Sequence, residues 1–136
     1  MTVQRARVAA PNSLVLIWGS AEVDVPETLD GALVAATPSC IAVGTRSEAD
    51  GETIIELSAG RDSDLIAGYD PQAREHLLPA FDGELSTPSG DVSVGDITGE
   101  TYLSIPVGGE SVRIRIWTND ASEPDLIWIE ARSREA

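Results

Sequence analysis

The chain has 136 residues, 42% of them hydrophobic, with 23 acidic side chains against nine basic ones and a net charge of -14. That length and apolar content fit one folded domain spanning residues 1–136 and exclude a disordered chain; the sign of the charge disfavours nucleic-acid binding, which needs clustered cations. All nine cations are arginines, the single cysteine excludes an internal disulfide, and no apolar run is long enough for a signal core or membrane span, so a cytoplasmic protein without membrane association is expected.

Along the chain the apolar pattern is that of strands. Val3 to Ala9, Ser13 to Ser20, Ala21 to Val25, Ser39 to Thr45, Glu52 to Ser58, Asp91 to Val94, Glu100 to Val107, Ser111 to Thr118 and Asp125 to Arg132 are short, rich in Val, Ile, Thr and Trp, and separated by turn formers. This predicts an all-β chain, an antiparallel sandwich of eight or nine short strands in a single domain. Ala49-Asp50-Gly51 reads as a turn, and Gly108-Gly109 as the positive-φ step of a tight hairpin. One helix signal interrupts the strands. Asp70 caps and Pro71 opens a short helix over about 71–78, ended by Pro79. The polar, Gly-rich stretch from Gly83 to Gly99 specifies register least.

The last hairpin is the best specified. Val112, Ile114 and Ile116 alternate with Arg113, Arg115 and Trp117, and Ile127, Ile129 and Ala131 alternate with Leu126, Trp128, Glu130 and Arg132; the first set of each strand is assigned to the core. Pairing Trp117 with Leu126 would set Arg115 against Trp128 and Arg113 against Glu130. Such a face is either ordinary cross-strand pairing or an Arg/Trp binding patch.

Chemistry-bearing constellations are sparse. Nucleophilic catalysis needs a base, and Cys40 with His76 is the one Cys/His option; a cysteine in an apolar run more often acts as a small buried hydrophobe. One Cys and one His cannot make a zinc site without carboxylates. Asp62-Ser63-Asp64 and the loop Asn119, Asp120, Glu123 and Asp125 offer oxygen ligands for calcium, yet neither matches a full calcium loop. No cofactor site and no phosphate loop is predicted. The strongest signal is charge: between Arg74 and Arg113 there is no Arg or Lys, whereas Glu75, Asp82, Glu84, Asp91, Asp96, Glu100 and Glu110 are acidic. Such a field steers basic partners toward the protein.

The strand order resembles that of the competence-J-like proteins, small bacterial β-sandwiches whose best-known member is associated with inhibition of a partner nuclease. The likeness runs from about Ser13 to Ala131. It comprises the strand Leu14 to Trp18, the acidic link Asp24 to Asp30 with Gly31-Ala32-Leu33, the strands at Ser39 to Val43 and Thr53 to Leu57, and a closing section. That section is Tyr102-Leu103-Ser104-Ile105-Pro106 with Gly108-Gly109, then Val112 to Thr118 and Leu126 to Ala131. The resemblance implies a non-enzymatic inhibitor or immunity-type protein that occludes a basic nuclease or toxin. Residue type and pattern nominate Asp82, Glu84, Asp91, Asp96, Glu100, Arg115, Trp117 and Trp128 as the partner-binding set, with Glu22, Asp24, Glu27 and Asp30 as further steering charges and Tyr102 as a further anchor. Two other classes stay open: a structural or ligand-binding sandwich whose acidity reflects its host's proteome, and a hydrolase using two carboxylates.

Overall fold

The computed structural model describes residues 2–27, 29, 31–61 and 77–133. Within them lie ten strands: β1 (Thr2–Val8), β2 (Leu14–Trp18), β3 (Val34–Thr37), β4 (Cys40–Gly44), β5 (Thr53–Arg61), β6 (Leu78–Ser86), β7 (Asp91–Gly95), β8 (Thr101–Pro106), β9 (Ser111–Thr118) and β10 (Leu126–Ser133). Sheet I has the order β1-β5-β10-β9-β6 and sheet II the order β3-β4-β2-β7-β8. The fold is the expected all-β sandwich. All pairings are antiparallel except that of β5 with β10, which is parallel.

Period-two alternation builds the core. Ile55, Leu57, Val112, Ile114, Ile116, Ile127, Ile129 and Ala131 of sheet I meet Val15, Ile17, Ile41, Val43, Val92, Val94, Leu103 and Ile105 of sheet II, all buried. Each large aliphatic side chain so buried contributes about 1.5–3 kcal/mol. A smaller cluster lies on the other face of sheet II, where Leu16, Cys40 and Ala42 pack with Trp18 and Leu29. For that reason every residue of β4 is buried, and its pattern reads as a continuous apolar run.

Several sequence expectations change. Ala21 to Val25 is an exposed connection without strand structure. It is pinned by Asp24 N–H donating to Ser39 Oγ at 2.8 Å and Thr37 Oγ1 donating to Asp24 O, bonds to side chain and single carbonyl that compete with a ladder. Two strands were not anticipated, β3 and β6. The first is short and alanine-rich; the second holds Pro79 and Gly83, tolerable because β6 is an edge strand with an irregularity between Pro79 and Phe81. The helix over 71–78 falls outside the described residues apart from its last two positions, and Leu78 opens β6. Gly108 does have positive φ, 72°, but it turns the chain from β8 in sheet II to β9 in sheet I and closes no hairpin.

The β9–β10 hairpin pairs as expected with its core assignments intact, but two residues out of the anticipated register: Trp117 faces Trp128, Arg115 faces Glu130, and Arg113 faces Arg132. The cause is Asn119, whose Oδ1 accepts from Asp125 N–H and Leu126 N–H at 3.1 Å each. Its own N–H donates to Leu126 O, so the ladder continues past Trp117. A shift of two keeps every side chain on its face.

Gly95 marks the tightest point. A Cβ there would lie 2.0 Å from Glu100 O and 2.7 Å from the Trp18 ring, at the irregularity between β7 and β8. Gly108 has open space around it and only its φ to satisfy. Gly95→Ala is therefore expected to destabilise by about 3 kcal/mol or more, at the upper end of overpacking costs, and Gly108→Ala by about 1–2 kcal/mol. Urea unfolding of the two variants checks the order.

Candidate functional site

The outer face of sheet I gathers five of the nominated residues. Cross-strand register sets Asp82 opposite Arg115, Glu84 opposite Arg113, Arg115 opposite Glu130 and Trp117 opposite Trp128. Arg113 grips Asp82 with both ends of its fork, Nε to Oδ1 at 2.8 Å and Nη2 to Oδ2 at 2.6 Å, the bidentate geometry suited to a carboxylate. Glu130 has no exposure to solvent. Its Oε1 accepts from Arg132 Nε at 2.7 Å and lies 4.0 Å from Arg115 Nη1. The Arg115 guanidinium sits 4.7 Å from the centre of the Trp117 ring, which is tilted 51° against Trp128 at 6.3 Å between centroids. The Trp128 indole N–H donates to Ser58 Oγ at 3.3 Å. At the far side of the sheet Arg5 pairs with Glu56 at 2.7 Å.

This face is therefore a ladder of matched charges. Asp82 and Glu84 do not project an unopposed negative field there, because the arginines of β9 lie across from them. The hydrogen bond from Arg113, reinforced by the charges of Arg115 and Arg132, holds the Asp82 carboxyl below its usual range. Trp117 is buried and Trp128 half-buried, so both are packed into the ladder.

The other three nominated residues lie with sheet II. Asp91 opens β7, and Asp96 and Glu100 flank the β7–β8 turn. Asp96 is 3% exposed. Burial pushes its pKa up, but hydrogen bonds from Thr98 Oγ1 and N–H, from Tyr102 Oη and from the backbone outweigh burial and hold it low. The Tyr102 hydroxyl, a candidate anchor, is engaged in that turn, and burial beside Asp96 raises its pKa. Asp91 and Glu100 remain exposed.

A regularity not visible in the sequence alone emerges from the topology. The two longest stretches without any Arg or Lys are residues 8–45 and 75–112, and every strand of sheet II lies in one or the other. Its strands and their connections carry Glu22, Asp24, Glu27, Asp30, Asp91, Asp96 and Glu100 and no cation; Asp30 lies outside the described residues. Arg5, Arg7, Arg113, Arg115 and Arg132 are all on strands of sheet I. The sandwich is electrostatically two-sided.

Cys40 is buried on β4, and burial pushes its thiol pKa up to about 11, the opposite of an activated nucleophile. His76 and Asp62-Ser63-Asp64 lie outside the described residues. In the 119–125 loop, Asp120 Oδ1 accepts from Ser122 N–H and Glu123 N–H at 2.9 Å each, and Asp125 is engaged by Asn119 Nδ2 and Arg46, so these carboxylates shape the loop.

No family model matches the chain, and no curated protein is similar to it in sequence. Its fold, however, is similar to that of a solved protein, the crystal structure of ComJ from Bacillus subtilis, described as an inhibitor of the DNA-degrading activity of NucA. The two align with a TM-score of 0.60 over 96% of this chain and 95% of that one, at 13% identity. The chain has a competence-J-like fold. The ComJ-like likeness spans the whole sandwich, both sheets included, and at that identity it carries architecture and no residue assignments.

The Asp82 geometry makes a pH prediction. With its folded pKa depressed, the stability that Asp82 contributes is fully present above the unfolded carboxyl pKa, about 3.9. It is lost as pH falls through the lower folded value. Because both partners are nearly half exposed, Asp82→Asn is expected to cost no more than about 1 kcal/mol at neutral pH. The deficit should shrink as pH falls below the unfolded carboxyl pKa and vanish once Asp82 is protonated in the folded state as well. Urea unfolding of variant and wild type across that range measures it; a deficit independent of pH would assign the loss to packing.

Proposed function

We propose that this chain is a non-enzymatic binding protein of the inhibitor or immunity type, which applies its cation-free sheet to a basic protein such as a nuclease or toxin and occludes it. The observation that carries the reading is the confinement of the described arginines, apart from Arg46, to sheet I, leaving sheet II uniformly negative. Nucleases and many toxins are basic where they hold phosphate, and a complementary potential accelerates docking on such a surface. ComJ, the fold neighbour named as an inhibitor of a DNA-degrading protein, supports the same class of role. The buried, proton-retaining Cys40 removes the nucleophile that a Cys/His enzyme would use.

Within this reading Asp91 and Glu100 are the steering charges of the nominated set, joined by Glu22, Asp24 and Glu27 on the β2–β3 connection. Asp96 holds the β7–β8 turn. Asp82, Glu84, Arg115, Trp117 and Trp128 serve the integrity of sheet I, where Asp82 pairs with Arg113 and Arg115, Arg115 reaches Glu130 and the Trp117 ring, Trp117 packs on Trp128, and Glu84 stands across from Arg113.

The test is capture from the native host's extract at low salt, followed by assay of any captured protein's nuclease or toxic activity. The expected result is a basic protein whose activity the wild-type chain suppresses. The Asp91→Lys/Glu100→Lys variant should associate at least about tenfold more slowly, and Asp82→Asn should associate normally. Recovery of no basic protein, or equal association by the reversal variant, would contradict the proposal and leave the acidity as a property of the host's proteome.

A further inference from the structure

The outer face of sheet II is not flat. Between the start of β7 and the end of β2 lies a hollow of about 220 Å³, lined by Trp18, Ser20, Ser89, Asp91 and Ser93 among others. Drug-sized ligands occupy roughly 300–1,000 Å³, so this hollow is of side-chain size. Its floor is set by the register that places Trp18 opposite Ser93 and by the close approach of Gly19 to the β7 backbone. A Cβ on Gly19 would stand 2.5 Å from Thr87 Cγ2 and 2.9 Å from Asp91 O and from Ser86 O, so glycine lets the chain leave β2 this close to β7.

The lining has one consistent chemistry. It offers an indole, a carboxylate and three hydroxyls, and no cation. The Ser20 hydroxyl accepts from Glu22 N–H at 3.2 Å and Ser93 Oγ shares a hydrogen bond with Ser104 Oγ at 3.2 Å, which leaves each oxygen a further lone pair. Asp91 is exposed, and among the described residues no side chain is hydrogen-bonded or ion-paired to its carboxylate. Asp24 lies close enough to Cys40, the cross-strand neighbour of Trp18, to be felt as a charge there. An anion is excluded by sign. A calcium or magnesium ion needs six or more oxygens and more than one carboxylate's charge, and the lining has no imidazole or thiolate for a softer metal. A guanidinium matches the whole set, because its plane stacks on an indole and its fork of N–H donors spans a carboxylate and neighbouring hydroxyls.

We infer that this hollow is a receptor for an arginine side chain presented by a basic protein partner. The inference rests on the proposed function and names the chemistry by which that function would anchor its partner: charge on sheet II guides the approach, and the Trp18–Asp91 hollow takes one guanidinium. Steering needs no geometry, whereas a hollow with an aromatic wall gives the specificity that dispersed carboxylates lack.

The test is a titration of the isotope-labelled chain with N-acetyl-argininamide in the millimolar range, followed by NMR chemical shifts, with N-acetyl-citrullinamide as the uncharged isostere. The expected result is saturable shifts confined to the Trp18 indole N–H and the amides of Ser20, Ser89, Asp91 and Ser93, and none with citrulline. Asp91→Asn, an exposed change that leaves the core untouched, should weaken binding about tenfold, and Trp18→Phe by a smaller factor. Shifts spread evenly over the acidic surface, equal shifts with citrulline, or unchanged affinity in Asp91→Asn would each overturn the inference. Should the hollow fail while a basic protein is still captured, this inference falls and the proposed function stands. Should arginine bind while no basic protein is captured, the hollow stands as a guanidinium site, whereas the proposed function falls and with it the partner said to present the arginine.

Discussion

A carboxylate with no access to water must be matched by cations or by a full set of donors, and Glu130 in the middle of sheet I is matched by cations. Arg132 and Arg115 converge on it from β10 and β9, Arg115 spreads over Trp117, and Arg113 beside it holds Asp82 on the edge strand. The outer surface of sheet I thus depends on one buried charge. Removing that charge would leave guanidinium groups facing each other, Arg113 directly opposite Arg132, so the ladder stands as a unit.

Sheet II solves the same problem differently. Its buried carboxylate, Asp96, is satisfied by hydroxyls and backbone N–H groups, which stabilise the charge without cancelling it. The arginines are thereby committed to one side of the sandwich, and the acidic residues of the other side keep their field.

Much of this was legible beforehand. Alternation along Val112 to Thr118 and Leu126 to Arg132 assigned the core correctly, because a side-chain period of two survives a register error of two. The sandwich followed from many short strands broken by Gly, Pro, Asn and Asp. What escaped was what depends on non-local pairing. β6 carries Pro79, Asp82, Gly83 and Glu84 and reads as loop, since only its position at an edge beside Arg113 and Arg115 makes it a strand. The acidic stretch from 75 to 112 was legible as charge but not as a placement: the topology sends part of it to β6, opposite arginines, and part to sheet II, with none. The second cation-free stretch, residues 8–45, was visible in the sequence, but its meaning came only when both stretches met in one sheet. Trp18 gave no signal by itself, as its indole reads as core until Ser93 and Asp91 are brought beside it.

The central claim is that the two outer faces carry different potentials. It is tested most directly by paramagnetic relaxation of backbone amides with two soluble nitroxides of similar size, one cationic and one anionic. The account predicts that the cationic probe relaxes Asp91, Ser93, Glu100 and Ser104 far more strongly than the anionic one, with the contrast fading as salt screens it. Over Arg5, Arg113 and Arg115 the two should act nearly alike. Equal enhancement by both probes on the two sheets, or a cationic preference as strong on sheet I as on sheet II, would contradict it.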